Sequence, residues 1–221
     1  MVRLARVVAP GFLHHIPQRG NRREETFVCA EDSQTYLALM GAWCRAGAVD
    51  VWADCLMPNP VHLIAVPDSA DGLRRAIGEA QRRYTRRENF REGWRGHRWP
   101  GRFASCPMDE RYLLMAARYS EQNPVRAGLA VSPWDYPWSS ARAHVAGRDD
   151  SLVKVAPLRK LVGNWVDFLS PDTSEEEARR LRRHERTGRP LGDGPFTAAV
   201  ERQLPRPLRR GKPGPQGGRA S

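Results

Sequence analysis

The spacing of apolar residues along the chain predicts an alternation of strands and helices. Short apolar or alternating runs typical of strands are followed by longer runs with the 3–4 residue spacing of a helix. The predicted strands are residues 11–20, 49–56, 61–66 and a stretch after GWRGHRWPGRF, and the predicted helices are residues 32–45, 70–90 and 109–122. This order of elements favours an α+β fold, in which helices pack on an antiparallel sheet.

The segment MPNPVHLIAV (57–66) places one histidine, His62, inside an apolar strand. Alternate positions of a strand face opposite sides, and both sides here are apolar apart from His62. A strand with two apolar faces is typical of the centre of a sheet that is covered on both sides. Pro60 is compatible with this strand only at its first residue, because proline has no N–H for the ladder.

The clearest helical pattern is ADGLRRAIGEAQRRYTRRENF, residues 70–90. One apolar stripe with 4-3-4 spacing is formed by Leu73, Ile77, Ala80 and Tyr84. The other faces carry Arg74, Arg75, Arg82, Arg83, Arg86 and Arg87. We therefore expect the stripe to face the sheet and the arginines to face outward.

The character of the chain changes after about residue 148. Residues 1–148 are predicted to form one domain, and residues 149–205 a basic helical extension. Within that extension, Ser174 and Glu177 have the spacing of a helix capping box. Residues 206–221 are rich in proline, glycine and arginine and are predicted to be disordered.

Charge adds an expectation about partners. The 221 residues carry a net charge of +11, and only three of the 36 basic residues are lysines (Lys154, Lys160 and Lys212). The planar fork of arginine matches phosphate oxygens, which favours nucleic acid or another polyanion as the partner. A GC-rich genome is the alternative explanation for the arginine enrichment.

Cysteine usage and hydropathy indicate the compartment. The four cysteines form no C-x-x-C pair, so a zinc ribbon is not expected, and we interpret them as small apolar groups in a reducing environment. The N-terminus MVRLARVVAPGF has too short an apolar run for a signal peptide. No run approaches the ~18 apolar residues that span a membrane. A soluble cytoplasmic protein without a membrane partner is predicted.

Two residues of the arginine-rich helix are candidates for chemistry. Tyr84 lies on the apolar stripe, and Glu88 follows one turn later on the same side. Taken alone, Tyr84 is better interpreted as an aromatic residue at the edge of the core. A carboxylate that faces a sheet is costly unless it is paired or bound to a metal, so Glu88 either pairs with Arg87, Arg91 or solvent, or it serves as a ligand. A strand histidine, a helix tyrosine and an acid or amide one turn later together suggest metal-assisted attack of tyrosine on a phosphate.

Several segments, in this order and spacing, resemble the REP-associated tyrosine transposases, a group of the single-tyrosine HUH transposases. They are HHIPQRGNRR (14–23), CLMPNPVHLIAVP (55–67), RRYTRREN (82–89), GHRWPGRF (96–103), RYSEQNPVRAGL (118–129) and DYPWSS (135–140). The resemblance covers roughly residues 5–148, and the segment RTGRPLG of the extension is similar as well.

The resemblance implies a ferredoxin-like domain that acts on hairpin or single-stranded DNA, as a monomer or homodimer. His62 matches the second histidine of the metal motif, and Tyr84 is taken as the nucleophile that forms a 5′-phosphotyrosine link and frees a 3′-OH. Mg²⁺ or Mn²⁺ is the implied cofactor, with Glu88 or Asn89 as a further ligand. The implied phosphate-binding residues are Arg19, Arg82, Arg83, Arg86, Arg102 and Arg126.

The sequence departs from this family at the metal motif. Position 60, the first histidine of the motif, is proline here. Loss of a direct ligand is expected to weaken the site at least as much as loss of a supporting residue, which costs roughly 10–100-fold. Asp54 or His15 is a candidate replacement for the missing ligand if its side chain shares a face with His62. Two functions stay open: a transposase or nuclease with a weakened metal site, and a catalytically inactive hairpin-DNA-binding protein. A basic RNA-binding protein of the same fold is a third, less favoured function.

Overall fold

A four-stranded antiparallel sheet lies at the centre of the computed structural model, which describes residues 7–21, 24–101, 103–204 and 208. Its strands are β1 (Leu13–Gln18), β2 (Val49–Leu56), β3 (Val61–Pro67) and β4 (Cys106–Met108). The order across the sheet is β2-β3-β1-β4, and every pairing is antiparallel. β3 is therefore an inner strand, as its two apolar faces predict.

Two long helices, α1 (Ala30–Ala46) and α2 (Gly72–Glu92), pack against each other on one face of the sheet. The apolar stripe of α2 is buried there with Tyr36 and Met40 of α1 and with Val61 and Leu63 of β3. The chain order β1-α1-β2-β3-α2-β4 with this strand order is the ferredoxin-like arrangement. The expected fold class is thereby confirmed.

The opposite face of the sheet is covered by α3 (Glu110–Arg126) and by elements of the extension. The later helices are α4 (Ala141–Ala146), α5 (Ala156–Arg159), α6 (Trp165–Leu169), α7 (Glu175–Thr187) and α8 (Gly194–Arg202). The core on this face joins Ile64 of β3 to Leu113 of α3, Trp165 of α6 and Leu181 of α7. The sheet is thus enclosed between two helical layers.

The extension after residue 148 packs directly on the body of the protein. Val153 forms a parallel bridge with Val51 on edge strand β2, and Leu191 forms one with Met108 on edge strand β4. Both edges of the sheet, which otherwise present unpaired backbone groups, are therefore partly covered by the extension. The tail predicted to be disordered lies outside the described residues, apart from Leu208, which is buried.

Three helix ends test the local predictions. The capping box of α7 is confirmed, because Ser174 and Glu177 each accept the other's backbone N–H. α1 begins before the predicted Asp32, which instead lies in the first turn and accepts the N–H of Val28. α3 continues past Pro124, where the pattern predicts its end, because a proline near a helix end forfeits only one backbone hydrogen bond.

Three of the four cysteines are buried, as expected for small apolar groups, and the fourth is exposed. Cys44, Cys55 and Cys106 are buried thiols, while Cys29 is exposed at the start of α1. In the part of the chain that the structure describes, no helix has the length and apolar character needed to cross a membrane.

Candidate functional site

His62 lies on the α3 side of the sheet and is almost completely buried. Strand pairing places Pro17 of β1 and Cys55 of β2 across from it. Its Nδ1 is 3.3 Å from Nε2 of His15, and its ring centroid is 5.7 Å from that of Tyr119. The neighbours of His62 named by these contacts therefore come from β1, β2 and α3, and none of them belongs to α2.

Tyr84 lies on the other face of the sheet, in the core between α1 and α2. Its side chain is fully buried, its ring is 5.3 Å from that of Tyr36, and its hydroxyl donates to the carbonyl of Thr26 at 2.8 Å. Burial, and then the charge of Glu88, raises the pKa of Tyr84. The expected juxtaposition of Tyr84 with His62 is not found, and the contacts of Tyr84 are those of a core residue.

Glu88 is held in an ionic network at the ends of α1 and α2. It is buried, and it accepts from Arg87 at 3.1 Å and from Arg91 at 2.6 Å. Both arginines also contact Asp32 of α1. Burial, and then the charge of Asp32, raises the pKa of Glu88 against the opposing effect of the arginines. These contacts match the interpretation in which Glu88 pairs with arginine and not with a metal.

The remaining expected ligands are also separated from His62. Asn89 donates to the carbonyl of Gly96 at 2.9 Å, within the α2 end of the molecule. Asp54 lies across the β2–β3 ladder from Leu63, one position away from the residue that faces His62. None of the described contacts of Glu88 or Asn89 involves His62, so the structure does not bring the predicted ligand set of His62 with Glu88 or Asn89 together.

Tyr119, a residue that the sequence interpretation passed over, is the tyrosine beside His62. The two rings meet edge to face at an interplanar angle of 85°, and Tyr119 is only 5% exposed. Its hydroxyl accepts a long hydrogen bond of 3.4 Å from Nε of Arg182 in α7. One turn later on α3, the buried side-chain amide nitrogen of Asn123 has no hydrogen-bond partner among the described residues. The combination of strand histidine, helix tyrosine and amide one turn later therefore occurs at His62, Tyr119 and Asn123.

The signal for this site is present in the sequence. In RYSEQN, residues 118–123, tyrosine and asparagine have the i, i+4 spacing that places them on one face of a helix. The family resemblance of RRYTRREN points instead to Tyr84 as the nucleophile. The two patterns differ in which face of the sheet their helix covers, and local spacing carries no information on that point.

Two arginines with predicted DNA contacts lie close to His62. Burial, followed by His15, Arg19 and Arg126, lowers the pKa of His62 well below its usual value. The guanidinium of Arg126 stacks over the ring of Tyr119 at 5.0 Å. Two arginines therefore border Tyr119, and both also lie near Glu175, Arg126 at 3.7 Å and Arg182 at 3.9 Å. A phosphate at the Tyr119 hydroxyl would compete with that carboxylate for them.

Three further predicted DNA-binding arginines belong to α2, on the far side of the sheet. Arg82 and Arg83 contact Glu79, and Arg83 also stacks over Trp43 at 4.6 Å. Arg86 is exposed. Arg102 lies outside the described residues.

One group of side chains in the described part of the chain has the spacing of a metal site: His15, His62 and Glu185. Each offers one ligand atom, and these atoms lie within 4.8 Å of one another. Nδ1 of His15 is buried without a hydrogen-bond partner, and burial lowers the pKa of His15 to about 4, so its ring is neutral at neutral pH. Neutral imidazoles and a carboxylate fit a divalent cation. Glu185 belongs to α7, so this cluster joins the sheet to the extension.

Comparison with solved structures supports the fold. A REP-associated tyrosine transposase bound to a REP hairpin matches with a TM-score of 0.58 and 18% sequence identity, over 70% of this chain and 93% of that one. A Deinococcus radiodurans R1 protein provisionally described as a transposase has a TM-score of 0.39 and 16% identity, over 55% of this chain and 97% of that one. No protein-family model and no curated protein sequence matches the chain. At these identities the likeness to the first structure shows a shared fold, and the second match supports no conclusion.

Proposed function

We propose that the protein is a transposase-type nuclease that binds hairpin DNA and cleaves a single strand through Tyr119. The contact of Tyr119 with His62 among arginines is the observation that carries this proposal. The fold that the chain shares with a hairpin-bound tyrosine transposase supports it. The +11 net charge, supplied mainly by arginine, suits a polyanionic substrate.

In the proposed reaction, the Tyr119 oxygen attacks the phosphorus of a single-stranded phosphodiester. A bond forms between phosphorus and the tyrosine oxygen, and the bond from phosphorus to the 3′ oxygen of the upstream nucleotide breaks. The phenol loses its proton and the departing oxygen gains one, so the products are a 5′-phosphotyrosine link and a free 3′-OH. Arg126 and Arg182, which contact the ring and hydroxyl of Tyr119, are placed to hold the phosphate and stabilise its developing charge.

A divalent cation, Mg²⁺ or Mn²⁺ by family resemblance, is part of this proposal. When bound, it withdraws charge from the scissile phosphate. His62 provides one ligand on β3. Pro60 leaves the usual neighbouring position of the motif without an imidazole, so we expect weak cleavage by the natural sequence.

The second candidate is a protein that binds hairpin DNA without cutting it. Pro60 favours this function, and so does the cover that α7 places over the site through the bond from Arg182 to the Tyr119 hydroxyl. Both candidates predict DNA binding. They differ in whether a covalent link forms between the protein and DNA.

A covalent-adduct assay separates the two. The substrate is a 3′-labelled oligonucleotide of a palindromic repeat that flanks the gene, incubated with Mg²⁺ or Mn²⁺ and each of three proteins: wild type, Tyr119→Phe and Tyr84→Phe. We expect a labelled protein band for wild type and Tyr84→Phe, and none for Tyr119→Phe. An adduct that survives Tyr119→Phe excludes this nucleophile. Tight hairpin binding without any adduct supports the second candidate, and preferential binding of the matched RNA hairpin contradicts both.

A further inference from the structure

The cluster of His15, His62 and Glu185 joins three parts of the chain that are far apart in sequence. His15 lies on β1, His62 on β3 and Glu185 in the last turn of α7. The two imidazoles are stacked, with an interplanar angle of 11° and nitrogens 3.3 Å apart. Glu185 Oε1 lies 3.8 Å from Nδ1 of His15.

We propose that His15, His62 and Glu185 form a binding site for a divalent first-row transition-metal ion, in which His15 replaces the missing histidine at position 60. As the metal centre of the proposed nuclease this site rests on the proposed function, but ion binding can be measured without DNA. The proposal assigns the carboxylate ligand to the C-terminal extension. It predicts that the ion fastens α7 to the sheet.

The geometry suits a single ion. Two nitrogen ligands at ~2.0–2.1 Å from a tetrahedral ion lie roughly 3.3–3.4 Å from each other, and the facing imidazole nitrogens are 3.3 Å apart. The other distances between the ligand atoms are within 4.8 Å. A small movement of Glu185 would bring its carboxylate within bonding distance of the ion, and its side chain, 11% exposed, is the least buried of the three. A bound ion would replace the direct contact between the His15 and His62 rings.

The unsatisfied nitrogen of His15 is a second and independent indication. Buried polar atoms in folded proteins nearly always have a partner, yet Nδ1 of this fully buried residue has no hydrogen bond among the described residues. The 3.8 Å approach of Glu185 is too long to supply one. With a cation on Nε2 of His15, the nitrogen that faces His62, Nδ1 carries the ring proton, and the adjacent Glu185 carboxylate can accept a hydrogen bond from it.

The donor set indicates the class of ion. Two imidazoles with one carboxylate suit Zn²⁺, Co²⁺, Fe²⁺ or Mn²⁺, whereas Mg²⁺ prefers a site made of oxygen ligands. A transition metal is therefore expected to bind more tightly than Mg²⁺. Of the two cofactors implied by the family resemblance, this site favours Mn²⁺.

The test uses the full-length, untagged protein, because a polyhistidine tag binds the same ions. Binding of Mn²⁺, Zn²⁺ and Mg²⁺ is measured by equilibrium dialysis, and of Co²⁺ by its visible absorption, for wild type, His15→Gln and Glu185→Gln. The matched control is Glu176→Gln, an exposed glutamate of α7 outside the cluster. We expect one ion per wild-type chain, at least ~10-fold weaker binding in both cluster variants, and no change in the control.

Three outcomes overturn the inference: no ion bound by wild type, equal binding by Glu185→Gln and Glu176→Gln, or Mg²⁺ bound as tightly as Mn²⁺. Circular dichroism on each variant separates a lost ligand from a lost fold. Should His15→Gln misfold, Glu185→Gln alone decides, since its side chain lies at the rim of the cluster. An ion bound here by a protein that forms no DNA adduct contradicts the proposed function alone. A Tyr119 adduct together with unaltered ion binding in Glu185→Gln contradicts this inference alone.

Discussion

Tyr119 and His62 meet edge to face between α3 and β3, with ring centroids 5.7 Å apart. Tyr84, by contrast, belongs to the core on the opposite face of the same sheet. Since β3 is an inner strand, the backbone of the sheet separates the two tyrosines. Only Tyr119 therefore lies beside His62, and Tyr84 has the contacts of a core residue.

Removal of the Tyr84 hydroxyl is expected to affect stability and not DNA cleavage. The Tyr84→Phe variant loses a buried bond to the carbonyl of Thr26, which costs about 1–2 kcal/mol of unfolding free energy. The Tyr119→Phe variant loses only a 3.4 Å contact with Arg182 and is expected to stay within about 0.5 kcal/mol of wild type. Urea unfolding followed by tryptophan fluorescence measures both. The reverse ranking would place Tyr119, and not Tyr84, among the residues that hold the core together.

The fold could be predicted from the sequence to a large extent. Apolar spacing locates the four strands and the three long helices, because periods of two and 3.6 residues follow directly from backbone geometry. The bridges from Val153 and Leu191 to the two sheet edges carry no periodic signal, since each is a single residue in an irregular segment. Leu208 was likewise predicted to be disordered because its neighbours are proline and arginine.

The candidate site could be predicted only in part. The position of His62 on β3 follows from alternation, and the i, i+4 pair of Tyr119 and Asn123 is visible in the sequence. Which helix covers the His62 face depends on how the chain crosses the sheet, and that is a tertiary property. The contribution of Glu185 depends on the docking of α7, about 120 residues after β3, and no local pattern reports it.

The arginines beside Tyr119 are expected to contribute more to phosphate binding than the arginines of α2. Arg126→Gln removes a cation that stacks on the Tyr119 ring, so the variant should bind the hairpin more weakly. The slope of the logarithm of the association constant against the logarithm of the salt concentration should become shallower by about 1. Arg86→Gln on α2 is the matched control, because Arg86 is exposed on the far side of the sheet. Fluorescence anisotropy at several salt concentrations measures both slopes. A larger effect of Arg86→Gln would move the DNA interface to α2.

The ionic network of α1 and α2 is expected to set the acid stability. Burial by itself raises the pKa of Asp32, but hydrogen bonds and charge from Arg91, with backbone N–H groups, outweigh it and lower the pKa to about 2. Because the folded pKa lies below the unfolded value, this stabilisation is complete above about pH 4 and is lost as the pH falls toward 2. Asp32→Asn should therefore cost about 2 kcal/mol at pH 7 and flatten the acid limb of stability. Asp68→Asn, at an exposed site, is the control for urea unfolding across this pH range, and an equally steep acid limb in Asp32→Asn would refute the assignment.

A buried carboxylate joins α3 to the extension. Glu121 is fully buried, with one oxygen 2.6 Å from Ser140 Oγ and 2.7 Å from His144 Nδ1, and the other accepting from Trp165 Nε1 at 2.8 Å. Glu121→Gln turns an amide N–H₂ toward a group that itself donates, so we expect a loss of about 3 kcal/mol. Thermal unfolding should show this loss, while Glu25→Gln at an exposed site should not. A change below about 1 kcal/mol would mean that the network relaxes around the amide.

Pro60→His is expected to increase cleavage. Position 60 lies two residues before His62 and directly before β3, so by strand alternation a histidine there faces the same side of the sheet. The added imidazole should raise the rate of covalent adduct formation at least ~10-fold and lower the Mn²⁺ concentration needed for half-maximal rate.

Pro60→Ala separates the loss of the proline ring from the gain of a ligand, and Pro60→His with Tyr119→Phe should form no adduct. If Pro60→Ala is as fast as Pro60→His, the gain comes from the backbone and not from the metal site. If wild type already matches Pro60→His, then His15 fully replaces the missing histidine, and Pro60 does not limit catalysis.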